Sequence, residues 1–285
     1  DWTLGSRWTT DWLSYVEDDP ANGAQPASVY MRGGGVEVSG GYSGGTGEYA
    51  PNYISRAVVA RVSTNPVRYE RRLSDGSFEE YGQPDGALTS PRKVFLTRIV
   101  RRTGDAVVFT YDASLRLVAV TDAAGQVTTL SYEHATDPLK LTKVTDPFGR
   151  VAQFTYDGEG RLSSITDVMG LTSGFEYDGD FVTKLTTPYG ETRFAMEAAG
   201  IDRWIETTDA LGGKERVEFR NYTSGLPSEP AAPAGFSNAY VGYRNTFVWD
   251  KRAMDEYPGD YSKAQILHWL HTVDQARASG TLEGE

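Results

Sequence analysis

Between about residues 99 and 222 the chain runs in short alternations of apolar and polar positions, many closing on two aromatic residues placed two apart. Phe109/Tyr111, Phe154/Tyr156 and Phe175/Tyr177 are such pairs. On an extended chain, residues i and i+2 face the same side, so both rings of a pair point one way. Upstream, Ser28–Arg32, Val36–Ser39, Val67–Leu73, Ser77–Tyr81 and Val94–Val100 read as further strands. Asp75-Gly76, between two of them, is a hairpin signal. Within the repeat, Leu162 and Ile165 have opposite parity, which predicts a β-bulge or burial on both faces. Near the C-terminus the period changes. Ser262 and Gln265 fit a capping box, and Ile266, Leu267, Trp269, Leu270 and Val273 follow at helical spacing, predicting a helix over 263–278.

The alternation is periodic. Gly104, Gly125, Gly149, Gly170 and Gly212 are each followed seven residues later by Tyr111, Tyr132, Tyr156, Tyr177 and Phe219, and Gly190 completes a register of six. Thr-Asp precedes the glycine at Asp122, Asp146, Asp167 and Asp209, and Asp112, Asp157 and Asp178 follow the aromatic. An Asp side chain can bond the backbone two residues on, and a glycine supplies the positive φ that closes a turn. The unit is therefore two short strands and two turns. Consecutive units stack their aromatics and bury a shared face. The expected architecture is mainly β: stacked hairpins in a twisted or curled antiparallel sheet, with a short C-terminal helix. Its structural positions are Tyr111, Asp112, Gly125, Tyr132, Gly149, Tyr156, Asp157, Gly170, Tyr177, Asp178, Gly190, Gly212 and Phe219.

The Phe-Thr-Tyr-Asp copies at 109–112 and 154–157 resemble the YD repeat of the rearrangement-hotspot (RHS) family, over about Ile99 to Tyr222. Leu4-Gly5-Ser6-Arg7-Trp8, with Trp12 and Tyr15, is similar to the segment preceding the repeats in that family. Tyr243 to Asp250 and His268-Trp269-Leu270-His271 are similar to a tail of some bacterial members. The resemblance implies a secreted or cell-surface bacterial protein whose sheet contributes to a spiralling shell. In larger members such a shell encloses or presents a C-terminal toxin. The domain organisation expected is a β region at 1–98, repeats at 99–225, a Pro/Ala linker at 226–242 and a C-terminal segment at 243–285.

Composition narrows the function. The chain has 285 residues, no cysteine, and 28 Lys+Arg against 39 Asp+Glu, a net charge of −11. Disulfides and thiolate chemistry are excluded. Only the short pairs Arg71-Arg72 and Arg101-Arg102 are basic, so nucleic acid is not an expected partner. No run approaches the length of a membrane-spanning helix.

No catalytic constellation emerges, and no cofactor or metal is expected. Gly41-Tyr42-Ser43-Gly44-Gly45 matches a nucleophile-elbow pattern, but no helical segment follows it. His268 and His271 would share a helix face, yet lack further ligands. Glu17-Asp18-Asp19 and Asp178-Gly179-Asp180 lack the alternating oxygens of a calcium loop. Trp2, Trp8, Trp12, Trp204 and Trp249 are candidate binding aromatics, for stacking on sugars or a partner. The expected function is a non-catalytic extracellular scaffold, shell segment or self-assembling fibre subunit, joined into homo-oligomers or filaments through its sheet edges. The alternatives are a carbohydrate-binding or adhesive surface module, or part of a larger toxin-encapsulating protein.

Overall fold

In the computed structural model, the five-residue loop that closes most repeat hairpins is the element from which the fold is assembled. The structure describes residues 3–5, 7–222, 236–237, 243–267 and 271–272. Loops of one hydrogen-bonding pattern occur at 31–35, 73–77, 101–105, 112–116, 122–126, 146–150, 157–161, 167–171 and 209–213. In each, the first residue's N–H donates to the fifth residue's carbonyl, and the fourth residue's N–H donates back to the first. The fourth residue has a positive φ: Gly149, for example, sits at +81°. Leu115 is the one non-glycine in that position, at +60°.

The chain forms two units, Asp1–Thr172 and Ser173–Glu285; the division falls within the repeats. The first unit contains β1 (Tyr15–Asp18), β2 (Ala27–Tyr30), β3 (Val36–Ser39), β4 (Val58–Thr64), β5 (Val67–Arg72), β6 (Phe78–Pro84) and β7 (Arg92–Val100). The repeat strands follow as β8 (Ala106–Tyr111), β9 (Leu117–Thr121), β10 (Val127–Ser131), β11 (Lys143–Thr145), β12 (Val151–Tyr156) and β13 (Leu162–Thr166). Every pairing among them is antiparallel. β7 is the hub: one edge pairs with β6, and the other pairs with β1 at Arg92–Phe95 and then with β8 at Arg98–Val100. The sheet forks there. One branch runs β1-β2-β3 and the other runs from β8 to β13.

One core spans the fork. Val16, Val29, Tyr69, Tyr81 and Leu96 from the upstream strands pack with Phe109, Leu117, Val120, Leu130 and Leu141 of the repeats. Upstream strands bury alternate residues, as in Val67, Tyr69 and Arg71 of β5, because each covers the core with one face.

The second unit comprises β14 (Thr172–Asp178), β15 (Phe181–Thr187), β16 (Gly190–Ala199), β17 (Asp202–Thr208), β18 (Lys214–Tyr222), β19 (Phe236–Ser237), β20 (Tyr243–Trp249), α1 (Lys251–Glu256), β21 (Gln265–Leu267) and β22 (His271–Thr272). β14 to β18 pair in chain order, then β18 with β20 and β20 with β21. β19 pairs separately with β22. Phe247, Trp249 and Met254 form a small core with Tyr261 against them.

The helix expected over 263–278 does not form in its described part. Ser262 belongs to a single 3-10 turn, Tyr261–Lys263, capped by Asp260. Gln265–Leu267 then pairs with β20, placing Ile266 opposite Phe247. A ladder with an existing strand outweighs a short amphipathic period, since most helix stability comes from packing rather than propensity. The α-helix among the described residues is instead Lys251–Glu256, N-capped by Asp250. Residues 268–270 and 273–278, and the linker expected at 226–242 apart from Phe236–Ser237, lie outside the described residues. No described helix is long and apolar enough to cross a membrane.

A left-handed conformation costs an L-residue roughly 1–2 kcal/mol, against about 0.5–1 kcal/mol of extra chain entropy for glycine. Leu115→Gly is therefore expected to hold or raise stability by up to ~1 kcal/mol in chemical denaturation, whereas Gly149→Ala lowers it by about 1 kcal/mol. Destabilisation by Leu115→Gly greater than that of Gly149→Ala would contradict the loop's requirement.

Candidate functional site

The aromatic pairs share a face because they are two apart on one strand, and a bulge in the partner strand brings two apolar residues into line with them in three hairpins. In β8–β9, Phe109 faces Val120 and Tyr111 faces Leu117, with a register shift at Thr110/Tyr111. The same shift puts Ile165 opposite Phe154 and Leu162 opposite Tyr156, and Leu185 opposite Phe175 with Val182 opposite Tyr177. The extra residue reverses parity, so Leu162 and Ile165 point the same way despite being three apart.

Three backbone carbonyls lie at irregular points of the ladder: Leu96 beside a register shift within β7, Leu117 at the start of β9, and Leu141 just before β11. A tyrosine hydroxyl reaches each from fifteen residues downstream. Tyr111 Oη donates to Leu96 O at 2.8 Å, Tyr132 Oη to Leu117 O at 2.8 Å, and Tyr156 Oη to Leu141 O at 2.5 Å. Leu96 lies at the fork of β7, with its own N–H donating to Ser14 O. Burial pushes the hydroxyls of Tyr111, Tyr132 and Tyr156 well above the usual phenol range, so all three remain donors. Arg116 lies over the Tyr132 ring and Lys140 over the Tyr156 ring. Phe219 has no hydroxyl and stacks under Arg203 instead.

The loop aspartates are equally committed. In six loops the first residue is Asp, and its Oδ1 accepts the N–H groups of the third and fifth residues at 2.8–3.1 Å. The guanidiniums of Arg116, Arg150 and Arg161 pair with the other oxygen of Asp112, Asp146 and Asp157. Desolvation would raise these carboxyls, but the amides and guanidiniums outweigh it and hold all three below the ordinary range. Asp178 behaves differently: it pairs with Phe181 across a two-residue turn. Gly190 is required by close approach, since a Cβ there would lie 2.5 Å from the Cβ of Ala210. Gly125, Gly170 and Gly212 fill the positive-φ position of their loops. The residue before the glycine projects outward, leaving Phe148, Met169, Tyr189 and Leu211 exposed.

Sequence reasoning missed three buried ionic clusters. Arg71 Nη2 meets Glu37 at 3.0 Å and Nη1 meets Glu79 at 3.3 Å, and Tyr81 donates to Glu79. Asp18 receives a bidentate Arg92 and the Tyr69 hydroxyl at 2.6 Å. Glu218 is held by Arg216, Arg220 and Tyr261. The available signal was parity: Arg71 follows Val67 and Tyr69 at inward positions of β5, and Glu79 pairs directly with it.

The remaining candidates find structural employment. Ser43 sits in a tight turn, its N–H donating to Glu48 O and its carbonyl accepting from Gly47. Asp18 is consumed by Arg92 and Tyr69, and no described group of three or more His, Asp or Glu could hold a metal. His271 lies on a strand, so the helical spacing to His268, which is outside the described residues, does not apply. Trp249 cannot serve as a binding aromatic, because it is fully buried and its Nε1 donates to Asp260 O. Trp12 packs on the main core. Trp204 donates to Glu197 beneath the Arg216 guanidinium. Trp8 is half-buried and Trp2 is outside the described residues.

Tyr132→Phe would leave the Leu117 carbonyl without its donor at a half-buried site, costing about 1–2 kcal/mol in denaturant titration; a change near zero would contradict the bond. The raised phenols also predict base sensitivity. The unfolded chain loses phenol protons above about pH 10 while the folded chain keeps them, so stability is full below that pH and falls as pH rises past it. Tyrosinate absorbance of the folded protein should lag that of free tyrosine until unfolding.

The family model described as RHS Repeat matches residues 111–140, 137–168 and 156–192. No curated protein matches. A solved structure, the crystal structure of TcdB2-TccC3 without its hypervariable C-terminal region, is 10% identical, with a TM-score of 0.32 over 85% of this chain. The chain spans 14% of that protein's length. The matched segments coincide with the hairpins tied by Tyr132 and Tyr156, and residues 111–192 carry RHS, or YD, repeats.

Proposed function

We propose that this chain is a non-catalytic, extracellular β-scaffold that joins further β-structure through its open sheet edges, as a shell segment or self-assembling subunit. The observation carrying this reading is that the repeat's polar residues are spent internally. Tyrosine hydroxyls close strand ends and aspartates close loops, leaving no convergent acid, base and nucleophile among the described residues.

Two surface features support association. β21 pairs only with β20 among the described residues, and Ile266 and Leu267 on it are exposed. Such an edge offers unpaired backbone groups to another strand. On the sheet of the second unit, Met196, Ile205 and Val217 align across three strands and are all exposed. Apolar rows of this kind mark contact surfaces on soluble proteins.

Light scattering and electron microscopy of the purified chain test the reading. Concentration-dependent oligomers or fibres are expected, and Leu267→Lys, which places a charge on the exposed edge strand, should diminish them. Dispersed monomers at every concentration would count against self-assembly.

A further inference from the structure

The loop at 101–105 departs from its siblings in a way that creates a vacancy. Its backbone closes normally, with Arg101 N–H donating to Asp105 O at 2.8 Å and Gly104 N–H to Arg101 O at 2.9 Å. The first residue, however, is Arg101 rather than Asp. In six other loops a carboxylate oxygen occupies the point between the third and fifth amides. At 73–77 Asp75 substitutes, accepting the Ser77 N–H at 2.9 Å. At 101–105 the corresponding amides, Thr103 and Asp105, have no acceptor among the described residues. Adjacent N–H groups around a left-handed residue form an anion-binding concavity, and Gly104 has φ +91°.

The surroundings suit a negative guest. The loop opens on a cavity of about 550 Å³ lined by Arg101, Arg102, Leu73, Phe78 and Ile99, and by Arg32, which donates to Asp11 O and lies 3.9 Å from Glu79. Three carboxylates also border it, and each is already engaged. Asp75 accepts from Ser77, Asp105 from the Thr103 hydroxyl at 2.9 Å, and Glu79 from Arg71 and Tyr81. Arg101 and Arg102 form no ion pair among the described residues, although Arg102 lies within Coulombic reach of Asp75.

We propose that the 101–105 loop and its cavity bind an oxyanion, either a free sulfate or phosphate or the carboxylate or sulfate of an acidic saccharide. The Thr103 and Asp105 amides take one oxygen in the position that a loop aspartate fills elsewhere, and the Arg101 and Arg102 guanidiniums neutralise the charge. The apolar floor accommodates a sugar ring where the oxyanion is borne by one.

Amide NMR of the full chain tests this, titrated with sodium sulfate against sodium chloride of matched ionic strength, then with glucuronate and a sulfated disaccharide. Saturable shifts at Thr103 and Asp105 are expected. Tighter binding of a saccharide than of sulfate assigns the site to an acidic glycan, and equal binding assigns it to the free ion. Arg101→Asp supplies the loop's own carboxylate, so it should weaken binding at least about tenfold while leaving the melting temperature unchanged or raised. Arg101→Ala should keep weaker shifts at the same two amides. No saturable shift with any of these anions, or undiminished binding in Arg101→Asp, would overturn the proposal.

Discussion

Where a β-ladder shifts register or stops, a backbone carbonyl is left without a ladder partner, as at Leu117 where β9 begins. Burying such a group unpaired is expensive. In the first unit the deficit is met from outside the hairpin: a tyrosine hydroxyl fifteen residues downstream donates to Leu96, Leu117 or Leu141. The rings of Tyr111 and Tyr132 also pack against the main core. One side chain thus satisfies the backbone of one hairpin and the packing of the next. The hydroxyl links one hairpin to the next at three points of the first unit.

The turns follow the opposite logic. Each loop aspartate satisfies amides of its own loop, and four of the six also pair with an arginine or lysine: Asp112 with Arg116, Asp146 with Arg150, Asp157 with Arg161 and Asp209 with Lys251. The loops are locally self-sufficient, while the strand ends depend on neighbours. This division explains why the acidic excess does not gather into a catalytic cluster. It also isolates the exceptions: Leu115, where the backbone conformation persists without glycine, and Met31, Leu73 and Arg101, where it persists without a carboxylate at the first position.

How much of this was legible in the sequence follows from range. The six-unit register, the glycine turns and the bulge were readable because they are set within a few residues, and the parity conflict of Leu162 and Ile165 already demanded an irregularity. The tyrosine-to-carbonyl bond was not readable, since nothing local marks Leu117 as an acceptor for Tyr132. The buried Arg71–Glu37–Glu79 cluster was hidden for a similar reason: its members lie on three strands, and only their inward parity signals it. The C-terminal helix was misread because Ile266 and Leu267 fit a helical period and a strand equally well. Pairing with β20, at Phe247, decided between them.

Native-state hydrogen exchange on the Tyr132→Phe protein tests the central claim most directly. If the hydroxyl joins consecutive hairpins, amide protection in β9 and β10 should drop together, with a smaller loss in β11 and β12 and none in β4 and β5. Protection unchanged in β9 and β10, or lost evenly across all strands, would contradict the claim that this bond couples one repeat to the next.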